Sequence, residues 1–543
     1  MTIAEQSQTT ASRAAARNFR ANVDALHGRQ PLLGSELADA PTVGDGDVEF
    51  VLGRDGALTA RVGNQWWSGC SLPLRTARKL LEKVDLSAIV TCFLAPTHAA
   101  QLRVVLDRLE PGRAMIAVVP DPFDLRLILH CGAFDRHINA GRLWFAGGDQ
   151  WAPGLARLLE DNDGLPLPGQ FIRTALVDAE TLDAMIATAQ GVFSREIPRR
   201  TRRIHDDFAT AAPAPGQVCV VAPGLFRLWD DTGAVLKTIA TEQGWRTHDP
   251  DDPCHASPVA FVRAVRDCGT IIAPTLGRAD FPQDLPMTSQ VITWVTQPRV
   301  PRFVAGAARD RLLLADERWR TLALAAGWPA PQIARAAWPA QFAQVPANSA
   351  TGGLAVIADT TPIVLPTFPL SSHKILWESV ARAIADDPFS VGPDASAYLD
   401  RWLGQTNIAP ETIDRDAFVR RLIVPAFQQA LAGALLAANL PTRLHGRGWS
   451  DIEEFQPHAA GPIQTRDDLH AAVAAARAIV HVAPEPHAHP IDATGRPVVR
   501  VSHKGKDLWL NEARRLARGE GRIPARNPAE LSAALLGAIV RAE

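Results

Sequence analysis

The chain has 543 residues, far more than one hydrophobic core supports, and this length predicts several domains. Hydrophobic residues make up 47% of it and charged residues 21%, a balance typical of globular proteins and unlike that of disordered or fibrous chains. Lys and Arg total 56 against 58 Asp and Glu, and a net charge of -2 disfavours nucleic acid as the main partner.

The cysteine pattern and the absence of long apolar runs indicate where the protein works. The six cysteines, which form no C-x-x-C pair, are Cys70, Cys92, Cys131, Cys219, Cys254 and Cys268. Most lie in apolar stretches, where a buried free thiol is the usual state. The N-terminal segment has no apolar core, and no run reaches the roughly 18 apolar residues that a membrane span needs. We therefore expect a cytoplasmic protein without a spanning helix.

Two stretches without helical or strand periodicity divide the sequence into three blocks. Residues 195–216 contain a basic cluster and then an Ala/Pro/Gly run, and QVPANSATGG follows much later in the chain, at 344–353. Both are typical of linkers. The predicted domains are therefore 1–205, 217–343 and 354–543.

The first block alternates buried-strand runs with segments of helical period. The runs are LSAIVTCF at 87–94, AMIAVV at 114–119 and LWFA at 143–146, and this alternation predicts a parallel α/β sheet. The turn after the first run, LAPTHAAQ at 94–101, has no glycine to admit a phosphate. Asp121, just after the second run, stands where a ribose-binding acid would lie, but an acidic loop residue often occupies such a position by chance. We expect no cofactor in this block.

The second and third blocks repeat the α/β pattern. The second opens with a buried run from residue 217, and further predicted strands lie at 269–274, 290–295, 311–314 and, opening the third block, 354–359.

A long helical region follows at roughly 370–440. Its last helix, 419–438, contains Pro425 and is expected to be kinked or split there.

The most informative stretch is 442–500. A strand leads into Gly446-Arg447-Gly448-Trp449, and GPI at 461–463 precedes a helix whose capping box is Thr465 and Asp468. The buried run AIVHVAP then leads into a polar loop and the closing element HPIDATGRPVVRV. This order of strands, turns and helix N-termini is typical of a doubly wound domain that binds a phosphate at its carboxyl edge.

These motifs resemble the C-terminal domain of GT-B glycosyltransferases, most closely those related to the spore-coat-maturation glycosyltransferases. That group has a strand ending in G-x-G-W, a Gly-Pro turn, a helix, an apolar strand and a closing A-x-G-x-P-V-V element. Upstream, TWVTQP at 293–298 and the segment 310–328 resemble the end of the N-terminal half of the same fold. The resemblance covers about residues 217–543 and implies two Rossmann-like domains of GT-B type, preceded by an additional α/β domain.

The resemblance also implies a set of donor-binding residues, which are Gly446, Arg447, Gly448, Lys374, His487, His489, Asp492 and Gly495. Each also has an ordinary structural interpretation: the glycines form a tight turn, Arg447 is a solvated charge, and Asp492 is a helix N-terminal charge. His487 and His489 lack the carboxylates or cysteines of a zinc site. We expect no metal and no cofactor beyond a nucleotide-sugar co-substrate.

The catalytic candidates lie in the second block, where Asp280 and His255 follow predicted strands and each is a candidate general base. His373 and Lys374 lie in PLSSHKILWES, just before a predicted helix, at a site that can face the cleft between the predicted domains.

The first block weakly resembles the N-terminal domain of motility accessory factor proteins, which assist flagellin glycosylation. The similar features are an opening helix, a small β region and a methyltransferase-like sheet; the glycine-rich first turn of that group is missing. The resemblance implies that residues 1–205 recognise an acceptor. The expected function is transfer of a sugar from a nucleotide sugar to a protein, such as a flagellin, or a glycan. The alternatives are a non-catalytic glycan-binding or scaffold protein and a sugar-nucleotide epimerase.

Overall fold

The computed structural model of the chain describes residues 3–39, 48–174, 176–225, 228, 232–281, 284–297, 299–336, 352–366, 368, 370–392, 394–406, 408–484, 496–500, 506–518, 533–534 and 536–537. The chain divides into two compact units. The first comprises Met1–Leu225, Gln243–Ile271 and Pro282–Ser289, and the second comprises Phe226–Glu242, Ile272–Phe281 and Gln290–Glu543. The predicted division into three domains stays a prediction, and residues 344–351 of its second linker lie outside the described residues.

The strands are β1 (Val48–Leu52), β2 (Leu58–Val62), β3 (Gln65–Trp66), β4 (Val90–Leu94), β5 (Ala114–Val119), β6 (Leu143–Gly147), β7 (Gln170–Ile172), β8 (Ala214–Val221), β9 (Arg246–His248), β10 (Cys268–Pro274), β11 (Gln290–Val295), β12 (Arg311–Leu314), β13 (Ile333–Arg335), β14 (Leu354–Ile357), β15 (Thr442–His445), β16 (Ala459–Gly461), β17 (Ala478–His481) and β18 (Val498–Arg500).

The helices are α1 (Ile3–Arg29), α2 (Pro31–Asp39), α3 (Pro73–Leu81), α4 (Ala99–Arg108), α5 (Pro122–Cys131), α6 (Asp135–Asn139), α7 (Trp151–Asp161), α8 (Ala179–Ala209), α9 (Thr232–Gln243), α10 (Pro258–Val265), α11 (Arg320–Ala325), α12 (Ser371–Asp386), α13 (Ala395–Gln405), α14 (Arg415–Phe418), α15 (Val424–Ala437), α16 (Arg466–Ala475) and α17 (Lys506–Ala517). None of the described helices is both long enough and apolar enough to cross a membrane.

A parallel sheet of order β6-β5-β4-β7 forms the core of the first unit. Both faces are buried, since Phe93 and Phe145 belong to one apolar cluster and Cys92 and Trp144 to another. Strands covered on both faces read as continuous apolar runs rather than as alternating ones. The α/β class and the three strands predicted for this block are confirmed.

The turn after β4 contains no glycine, and other residues provide its left-handed backbone and the cap of the next helix. Ala95 adopts a left-handed backbone with φ of 45°, a conformation that glycine usually provides. The backbone N–H of Ala100 donates to His98 Nδ1 at 3.0 Å, so the imidazole caps the start of α4. Asp121, the sequence candidate for a ribose-binding acid, likewise caps α5 by accepting from the N–H of Phe123 at 2.8 Å.

The predicted irregular linker at 195–216 is wrong, because α8 continues without interruption to Ala209. Its buried face includes Val192, Glu196, Arg200 and Ile204, which recur at helical spacing. Two of these four are charged, so the apolar period is hidden in the sequence.

A buried carboxylate just after α7 links α10 and α8 within the first unit. Asp163, 5% exposed, accepts two hydrogen bonds of 2.8 Å from Arg263 and also pairs with Arg203. Ser257 donates from its hydroxyl to the carbonyl of Asp163 at 2.6 Å.

A second sheet has the order β13-β12-β11-β10-β8-β9, and its described pairs β8–β9, β11–β12 and β12–β13 are parallel. The strands predicted at 269–274, 290–295 and 311–314 are confirmed.

The third sheet is parallel, has the order β16-β15-β14-β17-β18 and belongs to the second unit. Val356 and Leu444 are buried in a large cluster on one face, and Ile357 and Ile479 in a smaller cluster with α16 on the other.

The predicted kink near Pro425 takes the form of a π-helical turn. Residues Val419–Ile423 form that turn directly before α15, whose first residues include Pro425. Proline has no N–H to donate, and its ring clashes with the preceding turn of an α-helix. The wider π-helical turn relieves this clash without ending the helix.

Candidate functional site

The candidate site lies at the carboxyl edge of the five-stranded sheet. The chain builds β14 first, adds β15 and β16 on one side, and then crosses to β17 and β18 on the other. The loops after β14 and β17 therefore flank the point where the strand order reverses. Open parallel sheets bind their ligands at such a crevice.

Three basic side chains end strands of this sheet at the same level. Ile357 pairs in register with His445, and His481 pairs with Arg500. Because Val356 pairs with Val480, Ile357 and His481 are also neighbours. Residues in register point to one face of a sheet, so the imidazoles and the guanidinium form a row, which we call the basic row.

The basic row spans three strand spacings, roughly 14 Å. Its members differ in burial: His481 is 6% exposed, while His445 and Arg500 are half-buried. Burial lowers the pKa of His445, and the positive charge of Arg443 lowers it further. An anion bound beside this imidazole would shift its pKa in the opposite direction, upward.

The predicted glycine turn lies beside the chain that follows β14. Gly446 and Gly448 have φ values of 125° and 85°, in the left-handed region that favours glycine. A Cβ on either residue would lie 2.0 Å from a carbonyl oxygen, that of Ala358 or that of Thr360. The chain's own backbone thus requires both glycines, and contact with a donor stays a prediction.

Arg447, between these glycines, interacts with Asp359. The carboxylate accepts from the backbone N–H of Arg447 at 2.8 Å and from its Nε at 3.2 Å. The guanidinium side chain is 75% exposed and can therefore also reach a ligand.

Two further contacts fix this edge. The buried indole N–H of Trp449 donates to the carbonyl of Ala358 at 2.7 Å. Gln429 on α15 donates from Nε2 to the carbonyl of Thr361 at 2.8 Å. The loop after β14 is therefore held by β15 and by α15, which preorganises it.

The predicted capping box of α16 is confirmed. Asp468 donates its N–H to Thr465 Oγ1 at 3.2 Å, and Thr465 donates its N–H to Asp468 Oδ2 at 2.9 Å.

The remaining sequence candidates are in different surroundings. Lys374 is 55% exposed in the first turn of α12, where its Nζ is 3.8 Å from a Glu378 carboxylate oxygen. Its neighbour His373 is buried and lies 3.3 Å from Thr412 Oγ1 through Nε2. His373 therefore packs in the core rather than facing a cleft.

The two catalytic candidates belong to separate units. In the first unit, His255 is 60% exposed and its Nδ1 lies 3.3 Å from Asp252 Oδ2. In the second, Asp280 Oδ2 accepts the N–H of Gly277 at 2.8 Å and closes a short 3₁₀ turn. Their role as general base stays a prediction.

His487, His489, Asp492 and Gly495 lie outside the described residues, between β17 and β18 in the sequence. Their predicted contacts with the donor stay predictions. Within the described ranges, no group of three or more His, Cys, Asp or Glu side chains is arranged to hold a metal ion.

Sequence reasoning did not select His445, His481, Arg500 or Asp359. The available signal was position: three of them are the last residues of β15, β17 and β18, and Asp359 lies two residues after the end of β14. Residues at the carboxyl ends of neighbouring parallel strands share one edge of the sheet.

No protein-family model matches the chain, and no curated protein matches it. Among solved structures, the chain is similar to one described as the structure of MAf glycosyltransferase from Magnetospirillum magneticum AMB-1, with 14% sequence identity and a TM-score of 0.24. The alignment covers 61% of this chain and 58% of that chain, which is less than two thirds of either. At this TM-score the likeness carries no inference about fold or function.

Proposed function

We propose that the protein is a GT-B-type glycosyltransferase that transfers a sugar from a nucleotide-sugar donor to a protein, such as a flagellin, or a glycan acceptor. The donor binds at the switch-point edge of the five-stranded sheet. The observation that carries this proposal is the basic row of His445, His481 and Arg500 on both sides of the crossover. The resemblance of 442–500 to GT-B enzymes agrees with this placement.

The chemistry needs charge stabilisation more than it needs a covalent catalyst. An acceptor hydroxyl oxygen bonds to the anomeric carbon while the bond from that carbon to the diphosphate oxygen breaks. The electron pair and negative charge leave with the nucleoside diphosphate. Donors fixed in advance around the leaving diphosphate are most effective in such a step.

The proposal assigns charge neutralisation, hydrogen bonding and proton removal to different side chains. Arg500 and Arg447 neutralise the diphosphate, and His445 and His481 donate hydrogen bonds to its oxygens. The hydroxyl proton goes to a general base, for which Asp280 and His255 are the candidates. No resident metal is part of the proposal, and the six free thiols suit a cytoplasmic location.

The test is a panel of nucleotide sugars, assayed for released nucleotide with the full chain and with Arg500→Met. Arg382→Met on the exposed surface of α12 is the matched control. We expect release from at least one donor, reduced roughly tenfold or more only in Arg500→Met. Isomerised donor without release would instead identify an epimerase. The absence of both released nucleotide and isomerised donor would indicate a non-catalytic glycan-binding or scaffold protein.

A further inference from the structure

The first unit contains a cavity whose lining includes no residue of the proposed donor edge. It has a volume of about 550 Å³ and lies between the start of α2, the edge strand β6 and α7. Cavities of this size accommodate small ligands or a few residues of a peptide. Its lining carries Arg29 and Arg157 together with Glu36 and Asp161, and this balance of charge does not favour a phosphate or another polyanion.

One wall of the cavity is the outer edge of β6, the end strand of the four-stranded sheet. The carbonyl of Arg142 and the N–H of Gly148 both bond to β5, to Met115 and Val119 respectively. Backbone groups alternate in direction along a strand, so the odd-numbered residues of β6 present theirs to the outer edge. Gly147, which lines the cavity, is one of them.

The chain already places one amide group on this edge. The Gln30 carboxamide donates from Nε2 to the carbonyl of Phe145 at 2.6 Å and accepts the N–H of Phe145 through Oε1 at 2.9 Å. An added strand would make the same two contacts with Phe145 through the N–H of one of its peptide groups and the C=O of another. Two residues further along, Gly147 offers the next pair of groups on the same edge.

The opposite wall leaves room for an occupant. Gly154 in the first turns of α7 lines the cavity, and a Cβ added there would meet no atom within 4 Å. Leu32, also in the lining, is 53% exposed and offers an apolar contact for a side chain.

We propose that this cavity binds an extended peptide segment, which pairs with Gly147 as an added edge strand and places an apolar side chain against Leu32. Main-chain hydrogen bonds supply affinity in this mode, and alternate side chains supply specificity. The two arginines and two acids of the lining balance in charge, which fits an uncharged peptide backbone better than an ionic ligand. The inference does not depend on the proposed donor site.

The probe is a phage-displayed library of random peptides about ten residues long, since strands are usually about five or six residues. It is selected on the full chain, and the peptides obtained are resynthesised. Gly154→Met fills the cavity, and we expect it to raise the peptide Kd roughly tenfold or more. The control is Gly191→Met, an equally open glycine on the surface of α8, which leaves the Kd unchanged. Both substitutions remove a helical glycine and leave the protein folded.

A backbone scan of the bound peptide gives a second readout. Replacing each peptide N–H in turn by N-methyl is expected to weaken binding at every second position, the signature of strand pairing. Failure to select any peptide, equal losses in both glycine variants, or a scan without period two would overturn the proposal. Displacement of the peptide by an N-acetylated sugar would also overturn it, because the site would then be a sugar site.

Discussion

Asp359 accepts hydrogen bonds from two groups of Arg447, the backbone N–H at 2.8 Å and the guanidinium Nε at 3.2 Å. The carbonyl of Arg447 in turn accepts the N–H of Thr360 at 2.9 Å. Backbone and side chain therefore contribute differently: the backbone contacts join the loops after β14 and β15, while the exposed guanidinium adds little to stability and is available to a ligand.

This difference predicts unequal effects of removing the two partners. Arg447→Ala should change the free energy of unfolding by at most about 1 kcal/mol, because an exposed ion pair is screened by water. Asp359→Ala also removes the acceptor of a backbone N–H and should cost about 1–2 kcal/mol. Urea unfolding measures both. If Arg447 binds the donor diphosphate, its variant weakens nucleotide binding without matching loss of stability; equal destabilisation in the two variants would contradict this account.

The glycine turn predicts a steric effect that a matched control can isolate. Gly448 and Gly392 have similar φ values of 85° and 74°, but only at Gly448 does an added Cβ approach a carbonyl oxygen, at 2.0 Å. Alanine should cost about 1 kcal/mol at Gly392 from backbone strain alone. At Gly448 we expect a further loss of about 2 kcal/mol or more, together with loss of nucleotide binding. Equal costs in thermal or urea unfolding would show that the loop moves aside.

His98 predicts a pH dependence of stability in the first unit. Burial lowers its pKa from 6.5 to about 4, and the charge of Asp55 acts in the opposite direction. The unfolded chain binds a proton below pH 6.5 and the folded one does not until about pH 4, so acid favours unfolding across this window. The contribution of His98 is up to about 3 kcal/mol, complete above the window and lost as the pH falls through it.

His98→Asn keeps an acceptor for the Ala100 N–H and removes the titrating group. Relative to the wild type, this variant should therefore gain stability as the pH falls from 6.5 to 4. The difference in free energy of unfolding between the two proteins is measured by urea unfolding at both pH values, with hydrogen exchange of α4 as the readout. His248, whose pKa burial also lowers to about 4, remains in both proteins and cancels. A constant difference between the proteins at the two pH values would show that His98 does not cause the effect.

Helix α8 predicts resistance to trypsin at a site rich in arginine. Arg200 is buried and donates to the carbonyls of Leu165 at 2.6 Å and Leu159 at 2.8 Å. Residues 199–203 should therefore be cut no earlier than the first unit unfolds. Glu196→Ala removes the carboxylate that holds Arg199 and should speed this cleavage. Mass spectrometry identifies the cleavage sites over time. Early cleavage of the wild-type chain within 199–203 would contradict a continuous helix.

The sequence predicts the sheets better than the helices that carry charge. Buried parallel strands such as β5 and β11 match their predicted runs, because continuous apolar residues signal a strand covered on both faces. Helix α8 was missed because Glu196 and Arg200 are buried through pairing and hydrogen bonds, which hydrophobicity does not report. Short strands such as β7 and β9 have only three residues each, too few for a recognisable period.

The candidate site was predicted in part. The region was located from the turn at Gly446 and Gly448, which the structure places at the carboxyl edge of the sheet. The basic row was missed because its members are far apart in sequence and meet only through the register of four strands. No local motif encodes that register.

The central claim is that the carboxyl edge of the five-stranded sheet binds the nucleotide part of a donor. Hydrogen exchange of the full chain, measured by mass spectrometry with and without uridine, guanosine, adenosine, cytidine and thymidine diphosphates, tests it most directly. We predict that at least one nucleotide slows exchange in 356–361, 445–449 and 480–484 together, and that Arg500→Met abolishes this protection. Protection elsewhere, or no protection by any of the nucleotides, would contradict the account.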